Sequence, residues 1–209
     1  MPLKITTVAA SSRTATEDRL AVFPCRDGAV VVVADGTGGA AGGGRAADLA
    51  VKSVGAALDR ETFDPSSADR WIEVLAEADA LIASDPGAGE TTIVVVSITE
   101  HGHFAGASCG DSGALIVTTR EHLDDLTEKQ HRKRRLGSGR ALPVPFWWPK
   151  LDGTLLVATD GLLSYAALER IAHLAGEHDD LDALGRALVR AVTLSNGNLQ
   201  DDLALVLVR

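Results

Sequence analysis

Three things are scarce in this 209-residue chain, and each scarcity narrows what it can be. Cysteine occurs twice, at Cys25 and Cys109, too few for a disulfide framework. Both stand in apolar runs, so small buried thiols are expected. Long apolar stretches are missing: nothing approaches the roughly 18 residues of a membrane-spanning helix. The N-terminal MPLKITTVAASSR lacks the apolar core of a secretion signal. The expectation is a soluble, cytoplasmic protein. Positive charge is also short, with 20 Lys and Arg against 29 Asp and Glu, a net charge of -9. That excludes general binding to nucleic acid or to an anionic membrane, because counterion release needs a basic surface.

Further absences remove cofactor classes. There is no Gly-Lys-Ser/Thr and hence no P-loop. The six histidines show no ligand spacing, and no Cys/His pattern suggests zinc. No internal repeat or long linker appears, so residues 1–209 read as one domain, long enough to bury a real core.

Hydrophobic residues make up 45% and charged residues 23%, both near globular averages. Residues 3–9 and 20–24 read as short strands. Ala29 to Ala34 is a β-branched run, as expected of a strand buried on both faces. A glycine-rich turn, GTGGAAGGG, follows, and then a helix from about Arg45. In that helix Ala47, Ala50, Val51, Val54 and Leu58 make one apolar face. Ser66 or Ser67 caps a second helix carrying Trp71, Val74, Leu75, Ala78 and Ile82 at the same spacing.

Residues 91–99, 103–109 and 113–118 read as three successive strands of an antiparallel meander. Residues 120–150 read as a long loop, 154–159 as a strand, about 165–175 and 180–193 as helices, and Leu203 to Val208 as a last strand. Leu181, Leu184, Leu188, Ala191 and Val192 would form the core face of the final helix. Two helix pairs between groups of strands make an α+β chain with a helix-covered sandwich, not regular βαβ alternation.

Chemistry concentrates at the ends of apolar strands. VVVVAD places Asp35 before Gly36, and LLVATD places Asp160 before Gly161. Asp201 and Asp202 stand at the entrance of the last strand, Asp111 in the AGASCGD turn, and Glu17-Asp18 just before the strand at 20–24. Each alone reads as an ordinary turn signal. Together, carboxylates at converging strand ends repel and raise one another's pKa, a cost that a hard divalent cation removes. Mg²⁺ or Mn²⁺ prefers such oxygen ligands. Two ions about 4 Å apart can activate a water and clamp a phosphoryl oxygen.

The order of these pieces resembles the protein phosphatase 2C family of metal-dependent serine/threonine phosphatases. Arg13, Glu17 and Asp18 are similar to its R-x-x-N-E-D. Asp35-Gly36-Thr37-Gly38-Gly39 is similar to D-G-M-G-G, and Gly89-Glu90-Thr91-Thr92 to its G-T-T strand opening. Gly110-Asp111-Ser112 resembles G-D-S-R, and Leu126-Thr127 the Leu-Thr before the flap. Thr159-Asp160-Gly161-Leu162 resembles S-D-G-L, and Asp201-Asp202-Leu203-Ala204 the closing D-[ND]-[IL]-[TA].

The resemblance implies a four-layer fold, a β-sandwich of two antiparallel sheets flanked by helix pairs (α-β-β-α). It implies a short flap-like loop at about 120–150. It further implies that Asp35 bridges two metal ions, while Glu17 (through water) and the Gly36 carbonyl serve one ion. Asp160 and Asp201 serve the other, with Asp18 in support. Arg13 would hold the substrate phosphate, a task suited to guanidinium. Asp111 with Asp160 would match a third, weaker metal site. The implied activity is hydrolysis of phosphoserine and phosphothreonine in proteins, opposing a serine/threonine kinase, by attack of metal-activated water.

Three departures stand out: Thr16 for Asn, Gly113 for Arg, and Thr37 where animal members carry a histidine. They leave open an alternative, a catalytically impaired module that binds a partner. The basic run 129–135 (KQHRKRR) is either a solvated loop or a greeting surface for phosphoproteins. Phe146-Trp147-Trp148 is either a plug beneath that loop or an exposed docking patch. Cys109-Gly110-Asp111-Ser112-Gly113 is similar to the nucleophile segment of trypsin-like proteases, but no suitably placed histidine precedes it. Gly36-x-Gly38-x-x-Ala41 matches a loose dinucleotide fingerprint, but a second helix follows where a parallel strand is required.

Overall fold

The computed structural model describes residues 3–12, 15–37 and 42–209. In chain order the elements are β1 (Ile5–Ala10), β2 (Arg19–Cys25), β3 (Gly28–Ala34), β4 (Gly36–Thr37), α1 (Gly42–Leu58), α2 (Ala68–Ser84), β5 (Glu90–Thr91), β6 (Ile93–Thr99), β7 (Phe104–Cys109), β8 (Gly113–Val117), β9 (Leu123–Asp125), β10 (Val144–Trp148), β11 (Thr154–Ala158), α3 (Asp160–Leu163), α4 (Leu168–Glu177), α5 (Leu181–Val192) and β12 (Leu203–Val208).

Two five-stranded sheets form, in the orders β1-β12-β11-β8-β9 and β10-β7-β6-β3-β2, with a small β4-β5 pair beside them. All pairings are antiparallel. Alternate residues explain the layering. Val30 and Val32 of β3 pack with Val54, Trp71, Leu75 and Ile82 of α1 and α2. Val31 and Val33 face the other way, toward Leu155, Val157 and Val206 of the opposite sheet. All four valines are wholly buried, each contributing about 1.5–3 kcal/mol. On the far side, Leu156, Leu205 and Leu207 pack against Ile171, Leu184 and Leu188 of α4 and α5. The result is the expected α-β-β-α fold.

Several expectations need correction. The meander fails at its third strand: β7 pairs with β6 and β10, whereas β8 pairs with β11 and β9 in the other sheet. Apolar alternation identifies a strand but says nothing of its partner. The supposed loop 120–150 contains two edge strands, β9 and β10. Pro145 suits β10 because an edge strand need not donate on its outer side. The first helix begins at Gly42, earlier than expected. Cys109 is buried, but Cys25 is only half-buried. The aromatic triplet divides: Phe146 is buried between the sheets, Trp148 packs partly against that core, and Trp147 is 70% exposed.

Candidate functional site

The strand registers bring the acidic positions to one end of the sandwich. In one sheet the end of β3 lies beside the start of β2 (Ala34 opposite Arg19) and of β6 (Val33 opposite Val94). In the other, the end of β11 lies beside the starts of β8 and β12 (Ala158 opposite Gly113 and Leu205). Residues 110–112 step from β7 in one sheet to β8 in the other, so the two ends meet there. Asp18, Asp35, Asp111, Asp160, Asp201 and Asp202 therefore share one edge.

Two glycines that read as turn signals prove to be close-approach positions. A Cβ on Gly36 would stand 2.2 Å from the Gly43 carbonyl at the start of α1. A Cβ on Gly161 would stand 1.8 Å from the Asp202 carbonyl. Glycine here lets α1 and the entrance of β12 press against the carboxylate-bearing strand ends. Glu17 joins this contact, since a Cβ on Gly43 would meet its Oε1 at 2.8 Å.

The backbone of Asp35 is locked. Its N–H donates to Thr92 Oγ1 at 3.0 Å, and its carbonyl accepts from Thr91 Oγ1 at 2.9 Å and Thr92 N at 2.8 Å. Thr92 Oγ1 also bonds Ser112 Oγ at 2.6 Å. Ser112 is thus a buried structural hydroxyl and not an exposed nucleophile, which closes the protease reading. Asp18 accepts from Thr159 Oγ1 at 2.7 Å. Thr16, the departure from Asn, accepts from Asp18 N at 3.0 Å through its hydroxyl. Asp202 gathers the approach to the site. Its Oδ1 accepts from Ser11 Oγ (3.0 Å), Ser12 N (2.8 Å) and Ser12 Oγ (3.0 Å), and its Oδ2 from Glu17 N (3.2 Å). Those donors hold its pKa below the usual aspartate range, against its own burial.

Three carboxyls are perturbed the other way. Burial first, then the Asp18 and Asp111 charges, push Asp35 up to about 7. Burial, then Asp35 and Asp111, push Asp160 up to about 7. Burial raises Asp18 to about 6, even though its bond from Thr159 opposes the change. The Asp18 and Asp35 carboxyls act directly on each other. Among the described residues, this end of the molecule carries more buried negative charge than neighbouring groups offset.

Among the described residues no group of three or more His, Cys, Asp or Glu side chains is already arranged to hold a metal ion. The donor set nevertheless fits a hard divalent ion. It is all oxygen and mutually repelling, with Asp35 and Asp160 each raised in pKa by burial and by neighbouring carboxylates. Neutralising buried carboxylates is what such an ion does.

Of the residues expected from sequence, Glu17, Asp18, Asp35, Gly36, Asp111, Asp160 and Asp201 all reach this end. Asp201 Oδ1 accepts from Asp202 N at 2.9 Å. Arg13 lies outside the described residues, as do Gly38 and Gly39 of the D-G-x-G-G-like segment. Thr159 had only its place in a matched motif to mark it, whereas Asp202 was marked by its position at the entrance of the last strand but was given no role. Arg135, hidden in a basic run, was missed as a site residue. Its Nη2 donates to Asp111 Oδ2 at 2.9 Å, and its charge lowers the pKa of Asp160.

Comparison with known proteins agrees with this geometry. A family model described as protein phosphatase 2C matches residues 7–137, more than half the chain. The chain belongs to the protein phosphatase 2C family. Its fold matches solved bacterial members over nearly their whole length. The S. agalactiae serine/threonine phosphatase is 21% identical, with a TM-score of 0.82 over 99% of this chain and 98% of that one. Stp1 from Staphylococcus aureus is 18% identical, with a TM-score of 0.80 over 99% and 93%. The catalytic domain of PstP, solved with two manganese ions, is 18% identical, with a TM-score of 0.79 over 99% and 97%. None of the curated proteins matches the sequence significantly.

Proposed function

We propose that this phosphatase 2C family member is a metal-dependent protein phosphatase acting on phosphoserine and phosphothreonine. The observation that carries the reading is the buried group of Asp18, Asp35 and Asp160 at one sandwich end, each carboxyl raised in pKa by burial and neighbouring charge. Two divalent ions, Mn²⁺ or Mg²⁺, would be held by Asp35 between them, by Glu17 and the Gly36 carbonyl on one side, and by Asp160 and Asp201 on the other. When bound, such ions supply Lewis acidity and an activated water at neutral pH.

The chain's own residues do the positioning. Thr91 and Thr92 fix the Asp35 backbone, Thr159 orients Asp18, and Asp202 holds Ser11, Ser12 and Glu17. Arg13 would grip the phosphate. Residues 1–209 act as one catalytic domain, with 120–150 as its flap. The substrate is a phosphorylated protein, and the enzyme opposes a serine/threonine kinase in the cytoplasm. Two free thiols suit a reducing compartment, and no described helix is long and apolar enough to cross a membrane.

The test is hydrolysis of p-nitrophenyl phosphate by purified protein in Mn²⁺, in Mg²⁺ and in EDTA, with Asp35→Asn alongside. Turnover should need the metal and vanish in Asp35→Asn. Equal turnover in EDTA would refute the reading.

A further inference from the structure

The Asp111 corner of the acidic site differs from the rest. Asp35 and Asp160 face other carboxylates, whereas Asp111 already has a cation: Arg135 Nη2 stands 2.9 Å from its Oδ2, with both side chains about three-quarters buried (27% and 23% exposed). The pair is single-pronged. Asp111 Oδ1 and Arg135 Nε are both buried, and neither has a hydrogen-bond partner among the described residues. The guanidinium also acts on Asp160, where its charge opposes the rise that burial and the neighbouring carboxylates cause.

Arg135 is not swung in from a free loop. Its neighbour Leu136 is wholly buried and exchanges two backbone hydrogen bonds with Thr91, each 2.9 Å. Thr91 is the residue that secures Asp35 and pairs with Gly36. The Arg135 carbonyl accepts from Ser138 Oγ at 2.8 Å, and the Arg134 carbonyl from Cys109 Sγ at 2.8 Å. Beyond them, Asp79 of α2 accepts from Gly137 N (2.7 Å), Gly139 N (3.1 Å) and Ala141 N (3.1 Å). On the other side, Gln130 Nε2 donates to the Ser112 carbonyl at 2.8 Å. The guanidinium is built in from both ends of its segment.

We propose that Arg135 is a built-in counter-cation that balances Asp111 and closes this corner of the site to a further metal ion. The inference rests on the metal-dependent reading above. A guanidinium cannot be released by chelators and keeps its charge at any working pH. A metal ion entering between Asp111 and Asp160 would have to displace it and leave a buried arginine unpaired, a costly exchange. Arg135 is in this sense a positioning and charge-balancing residue. The expected third ion at Asp111 is thereby replaced by a side chain, and the metal complement is that held by Glu17, Asp35, Gly36, Asp160 and Asp201.

Calorimetric titration of Mn²⁺ into metal-free protein tests this without reference to turnover. Asp111→Asn should leave the number of bound ions unchanged. Arg135→Gln should bind one ion more than the unaltered protein, and Arg135→Gln with Asp111→Asn should lose that extra ion. Arg135→Lys should bind the unaltered number. Loss of an ion in Asp111→Asn overturns the proposal, as does a folded Arg135→Gln that gains none. If Arg135→Gln does not fold, the Asp111→Asn titration decides alone. Absence of any Mn²⁺ binding by the unaltered protein would instead count against the metal-dependent reading itself.

Discussion

The hydroxyl of Thr159 donates to Asp18 Oδ2 over 2.7 Å and at the same time accepts from Ala204 N at 2.9 Å. One buried side chain thus ties the end of β11, the start of β12 and the approach to β2, bridging the two sheets at the acidic end. Thr159→Val keeps the shape and removes both bonds. It leaves a carboxylate oxygen and a backbone N–H buried and unpaired, at about 1–3 kcal/mol each. Denaturant unfolding should show this destabilisation, and calorimetry should show weaker Mn²⁺ binding. Wild-type stability in Thr159→Val would mean that the bond does not hold Asp18 in place.

The raised carboxyls give the metal-free protein a characteristic pH response. Asp18, Asp35 and Asp160 rise from 3.8 to about 6, 7 and 7. Between about pH 4 and 7 the folded chain therefore holds protons that the unfolded chain has released. Stability from these groups is fully present below about pH 4 and is lost as pH rises through 6 and 7. Asp202, with a lowered pKa, contributes the opposite trend, but only below about pH 4. In EDTA the melting temperature should fall between pH 5.5 and 8. Saturating Mn²⁺ should remove or reverse that fall, because the ion competes with the protons. A flat profile in EDTA would contradict the account.

The basic run offers a separate test of substrate choice. His131, Arg132, Lys133 and Arg134 are exposed, while Arg135 turns inward to Asp111. Replacing Arg132, Lys133 and Arg134 by Glu should raise KM for an acidic phosphopeptide by about tenfold, or about 1.4 kcal/mol, and spare p-nitrophenyl phosphate. Equal effects on both substrates would show that the run does not greet the protein substrate.

What could be read from sequence follows from which forces are local. The β3 valines and the α2 stripe from Trp71 to Ile82 announced themselves because burial imposes a period on the chain itself. The acidic set was legible because each member adjoins an apolar strand, and the motif order supplied the rest. The crossing at Gly110-Asp111-Ser112 was not legible, since the choice of sheet by β8 depends on partners more than 30 residues away in β11. Nor was the role of Gly36 and Gly161, which answer to Gly43 and Asp202 across space. Arg135 was hidden for the same reason: inside KQHRKRR it looks like its neighbours, and only the Leu136–Thr91 staple turns it toward Asp111.

The central claim is that the acidic end works through divalent metal. Its most direct test is phosphate release from a phosphothreonine peptide, followed continuously while Mn²⁺ is supplied, chelated with EDTA and supplied again. Release should proceed, stop and resume in the unaltered protein, and stay at background throughout in Asp160→Asn. Release that continues undiminished through chelation would contradict the account.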